Sequence, residues 1–131
     1  KKLIFSTLLG GSGGEFWLMP KLDAQGNIFI VGQTESQDFP VTLNALQTTY
    51  GGGKSDGAFA VISPDGSKLL YATYLGGSGD ELIRSIALEP NGDVYLVGST
   101  GSRDFPVTSD SARTTLKGND DAFVVKLVLE R

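Results

Sequence analysis

The chain is written almost twice. Residues 2–13, ending Leu9-Gly10-Gly11-Ser12-Gly13, return at 68–79, ending Leu75-Gly76-Gly77-Ser78-Gly79. The same shift of 66 carries Asp38-Phe39-Pro40-Val41-Thr42 onto Asp104-Phe105-Pro106-Val107-Thr108. Aligning 2–50 with 68–116 gives 22 identities in 49 positions without a gap. Two residues then drop out in this alignment, and Ala58-Phe59 falls on Ala122-Phe123. A period of this length marks one supersecondary unit that buries its apolar surface by stacking on its neighbours.

Each unit reads as four short strands. Residues 93–99 and their counterparts 27–33 are apolar runs without alternation, as expected of strands covered on both faces. Weaker segments precede them at 16–23 and 82–89. The joints Asp23-Ala24-Gln25-Gly26-Asn27 and Glu89-Pro90-Asn91-Gly92-Asp93 have hairpin chemistry, because Pro presets φ and Gly supplies the positive φ of a tight turn. Third strands are expected at 58–63 and 122–129. A turn at Ser63-Pro64-Asp65-Gly66-Ser67 then leads into a fourth at 68–75. Pro20 suits only an edge strand, since it donates nothing to a ladder. The long links 35–57 and 101–121 must pack on something to be tolerated in a compact fold. Phe39 and Phe105 are the expected anchors, and Pro40 and Pro106 keep them extended.

Composition narrows the partners. Lys and Arg number 11 against 15 acidic residues, for a net charge of −4, and no basic cluster offers a nucleic-acid footprint. An anionic membrane surface holds no attraction for such a chain, and no apolar run is long enough to span a bilayer. Cysteine and histidine are absent, which removes disulfides and thiolate or imidazole metal sites. The start at Lys1-Lys2 without Met leads us to expect a processed or truncated piece of something longer.

At these motifs the chain resembles the SBBP-type β-propeller repeat of bacterial surface and secreted proteins. The matching residues are 71–80, 92–100, 104–108 and 121–127, with their counterparts in the first copy. Trp17-Leu18-Met19-Pro20-Lys21 departs from the family, which tends to small and β-branched residues there. The resemblance implies a propeller module of exported proteins, commonly beside adhesion-type domains, with no defined catalytic residues.

Several features invite chemistry. Asp80-Glu81 and Asp120-Asp121 flank glycine-rich turns and could supply oxygen ligands to Ca²⁺, but they lack the spacing of a calcium loop. We read them as solvated turn carboxylates or backbone acceptors, and expect no metal. Asp38 and Asp104 recur in both copies, and a structural role in accepting loop N–H groups is preferred to a repeated catalytic acid. Gly51-Gly52-Gly53-Lys54-Ser55 imitates a phosphate loop, but Thr48 stands where its first Gly belongs and no helix is expected to follow. Phe16, Trp17 and Met19 form an aromatic and apolar patch that could meet sugar or protein. Packing, against this chain or another, is the preferred reading.

The expected fold is all-β, with two four-stranded antiparallel propeller blades belonging to a larger or oligomeric propeller. Residues 1–9 form a leading fourth-type strand that completes a neighbouring blade. Residues 10–75 form the first blade, and 76–131 the second, which lacks its own fourth strand. The expected function is a non-enzymatic structural or interaction module, extracellular or at the cell surface, without cofactor. Its expected partners are other copies of itself or adjacent blades of a longer parent, with a surface glycan or protein as a further ligand. The alternative is a carbohydrate-binding or carbohydrate-cleaving propeller.

Overall fold

The computed structural model describes residues 1–129. Its regular elements are seven strands: β1 (Glu15–Leu22), β2 (Ile28–Thr34), β3 (Asp56–Ile62), β4 (Leu69–Leu75), β5 (Glu81–Leu88), β6 (Val94–Thr100) and β7 (Asp121–Leu127). They form two antiparallel sheets of sequential hairpins, β1-β2-β3-β4 and β5-β6-β7. The turns use the expected chemistry, with Gly26, Gly66 and Gly92 all at positive φ. Pro20 lies in β1, the edge strand of the first sheet, beside a register shift between Trp17 and Pro20. β5 carries a matching irregularity between Ile83 and Ser85 without a proline, so the bulge belongs to the repeat.

The sheets pack face to face. The first contributes Phe29, Val31, Phe59, Val61, Tyr71 and Leu75 to a shared core, and the second contributes Ile83, Ile86, Val94, Leu96, Phe105 and Phe123. β5 lies against β1, β2 and β3. A second cluster covers the opposite face of the first sheet, built from Phe39, Ala58, Ala60, Ala72 and Tyr74, with Trp17, Val41 and Tyr50 packed on it. The long loops therefore do pack. Phe39 and Phe105 are buried in equivalent places, each on the face of its sheet nearer the N-terminal end of the chain.

The register corrects one alignment. Thr34 pairs with Asp56, and Thr100 pairs with Asp121. One residue, not two, is therefore lost between the copies, and Ala58 corresponds to Phe123 while Phe59 corresponds to Val124. Because side chains alternate along a strand, Phe59 and Phe123 project from opposite faces of their sheets. Both consequently point into the shared core between the sheets. The Ala-Phe identity had suggested equivalence, but hydrogen-bonded pairing fixes the faces.

Residues 1–14 contribute no strand to either sheet. They nevertheless follow the first sheet: Phe5 lies against Gly66 of the β3–β4 turn, and Leu9 packs on the second cluster. Tyr71, the counterpart of Phe5, similarly lines a cleft with Leu127, Val128 and Leu129 just after β7.

Candidate assembly site at the sheet junction

The junction is stitched where β3 and β5 begin. Glu81 N–H donates to Ser55 O at 2.9 Å, and Ser55 Oγ donates to Glu81 O at 3.1 Å. Beside these bonds two carboxyl groups are buried, Glu81 at 2% exposure and Asp56 at 0%. Glu81 accepts from Thr100 Oγ1 at 2.8 Å, from Gly77 N at 3.1 Å, and from Ser102 Oγ. Asp56 Oδ2 accepts from Gly51 N at 2.7 Å and Gln47 Nε2 at 3.0 Å, whereas its buried Oδ1 has no partner among the described residues. Gly76 passes between them, and any Cβ there would strike both the Glu81 and Asp56 carboxyl groups.

Burial disfavours both charges. It pushes Asp56 up to about 6, against the pull of the Gly51 amide, and the negative charge of Glu81 adds to the effect. Burial also raises Glu81, despite its hydroxyl and amide donors.

The same parts recur at the two faces that the sheets do not share. Glu15, the counterpart of Glu81, accepts from Gly11 N at 2.9 Å, Thr34 Oγ1 at 3.1 Å, and Ser36 Oγ. Asp121, the counterpart of Asp56, accepts from Lys117 N at 3.0 Å and Gly118 N at 3.3 Å, and is paired with Arg113. Lys117 thus repeats Gly51, and Arg113 replaces Gln47. The Lys117 amide leads in holding Asp121 below the usual carboxylate range, with Arg113 contributing.

The other singled-out residues fall into place around this junction. Asp38 accepts Ser12 N at 2.8 Å and Ser12 Oγ at 2.9 Å, and Asp104 repeats both bonds with Ser78. Those bonds, the backbone one first, lower both acids. The imitation phosphate loop spends its amides on the protein's own carboxylates: Gly51 N on Asp56, and Lys54 N on Asp80 at 2.6 Å. Strand β3 follows it. Asp80, Glu81 and Asp120 line one shallow cleft, while Asp121 turns to Arg113. Among the described residues no group of three or more acids is arranged to hold a metal ion. Trp17 packs on Phe39 at 5.8 Å and donates to Leu9 O at 3.4 Å, whereas Phe16 and Met19 remain exposed.

The outward face of the second sheet repeats the covered face of the first. Tyr95, Val97, Val124 and Lys126 occupy the positions of Phe29, Val31, Phe59 and Val61. Val124 is 72% exposed, against 0% for Phe59. Lys126 stands over Tyr95 at 5.2 Å and pairs with Glu89 at 3.0 Å and Asp93 at 3.6 Å; Glu89 first, then Tyr95, raise its pKa.

Residues 70–106 match the family model of the SBBP β-propeller repeat. The chain carries an SBBP repeat. The matched stretch runs from β4 through β5 and β6 to the Phe105 anchor, so one SBBP unit straddles both sheets and contains Glu81 and Gly76 of the junction. No curated protein matches the chain.

Sequence reasoning singled out Glu81 and Asp121 only beside their neighbours Asp80 and Asp120, as turn carboxylates or backbone acceptors, and passed over Glu15 and Asp56. Both Glu81 and Asp121 do accept backbone amides, but Glu81 is buried rather than solvated. Glu15 and Glu81 were visible as an identity at the 66-residue shift. The acids at 56 and 121 align only once the single-residue loss is known.

Proposed function

We propose that this chain is a non-enzymatic structural or interaction module of an exported bacterial protein, and that its two sheets are propeller blades assembling with further blades. One observation carries the reading. The chain presents both halves of the joint that it makes internally. Val97 and Val124 stand exposed, and Tyr95 half-buried, where the first sheet is covered, and Glu15 stands where Glu81 is buried. The edges agree with the faces. β7 borders its sheet, while residues 2–9 repeat the sequence of β4 and join no ladder. An unpaired edge recruits a strand, and Leu3–Leu9 is of the type that flanks β3. We therefore place Leu3–Leu9 beside β7 of another two-blade unit. A heterologous contact of this kind closes a ring or continues as a filament.

Sedimentation velocity over a concentration series tests the assembly. The intact chain is expected to associate, and removal of residues 1–9 to give monomers, unfolding or aggregation. An intact chain that stays a stable, monodisperse monomer, or a shortened chain that associates like the intact one, overturns the reading.

A further inference from the structure

We propose that Arg113 and Asp121 form a socket for the Glu15 carboxylate of a second copy of this chain. The inference rests on the blade-assembly reading and specifies its chemistry. Within the chain, Asp56 and Glu81 converge on Gly76, with the neutral Gln47 as the only side-chain donor on Asp56 among the described residues. At the far face the register puts Asp121 in the place of Asp56 and Arg113 in the place of Gln47. A guanidinium has five N–H donors and can hold two carboxylates at once. Arg113 is half exposed and already pairs with Asp121, leaving donors for a second acid. The matching acid stands at the other end of the molecule. Glu15 is held by three donors on Oε1, with Oε2 turned toward Gly10, the counterpart of Gly76.

The substitution changes the charge balance of the joint. Two buried carboxyls beside Gln47 cannot both ionise cheaply, whereas two beside an arginine leave a single negative charge. Gln47 Oε1 also accepts Gly76 N at 3.0 Å. Arginine has no acceptor for the Gly10 amide, so the copy-to-copy joint exchanges that bond for an ion pair. The charged groups around this joint are Arg113, Lys117, Asp120 and Asp121 from one copy, and Glu15 and Glu35 from the other. Around the internal joint the titratable groups are Asp56, Glu81, Asp80 and the neutral phenol of Tyr50.

The socket is tested by measuring the association constant of the intact chain and of Arg113 variants at about pH 5 and about pH 8. The native chain associates equally at both and more weakly in high salt. Arg113→Glu weakens association at least about 10-fold at both, as expected for a desolvated like-charge contact. Arg113→Gln recreates the Asp56 environment, so its association fails at the higher pH and returns at the lower, where a proton replaces the guanidinium. Adding Glu15→Lys to Arg113→Glu restores association. If circular dichroism shows that double variant unfolded, the pH profile of Arg113→Gln decides alone. Variants that associate like the native chain at both pH values overturn the socket and leave blade assembly standing. A native chain that stays monomeric overturns both.

Discussion

Asp56 is fully buried with one carboxyl oxygen unpartnered among the described residues, and its environment opposes its own charge. Its value in the fold is about 6, above the 3.8 of the free side chain, so the folded state holds a proton that the unfolded chain has released. The stability contributed by this group is present below the unfolded value and is lost as pH rises through about 6. The loss amounts to about 3 kcal/mol. Asp38, Asp65 and Asp104 act oppositely, since hydrogen bonds lower them and their stabilisation fades as pH falls. Asp56→Asn keeps an acceptor for the Gly51 and Gln47 donors. Denaturant melts are expected to show this variant gaining on the native protein as pH rises from 4 to 7. A parallel pH profile for the two proteins would contradict the assignment. Phe39 and Phe105, buried at 3% and 8% exposure, are each expected to cost ~3–5 kcal/mol when cut to alanine. Unchanged melting would mean that the loops do not depend on them.

Among elements, the two long loops differ in what holds them. β4 clamps the first: Tyr74 Oη accepts Phe39 N at 3.0 Å and donates to Ser36 O at 2.8 Å. Tyr71 Oη accepts Leu46 N at 3.1 Å, and Thr73 Oγ1 accepts Gln47 N at 2.9 Å. The second loop has no strand in that place among the described residues, and Phe105 N turns to Ser102 O at 3.3 Å. Hydrogen exchange at high dilution is expected to be at least about 10-fold faster at Phe105 and Arg113 than at Phe39 and Gln47. Equal protection would mean that packing alone fixes both loops. Strand positions were legible in the sequence to within about two residues, because hairpin turns punctuate each apolar run. The facing of β7 was not. Matching Ala58-Phe59 to Ala122-Phe123 rewards identity, whereas the pairings of Asp56 and Asp121 count residues, and a one-residue change inverts every side chain.

At the scale of the whole molecule, the repeat made the stacked architecture legible, and the identity of the SBBP unit followed from motifs in fixed order. The buried acids of the joint were less legible, since a glutamate opening a strand looks the same in sequence whether solvated or enclosed. Burial at 81 and partial exposure at 15 arise from what lies next to each copy, which a single-copy pattern does not contain.

The inverted facing of β7 has a mechanical consequence. It sends Phe59 and Phe123 into one seam, while the outer faces receive Ala58 on one side and Val124 on the other. Any stack of such chains therefore alternates seams that hold both Phe59 and Phe123 with seams that hold neither and close on Phe39, Tyr74, Val124 and ions instead. Under load, heat or dilution it would fracture at every second seam, shedding blades in pairs.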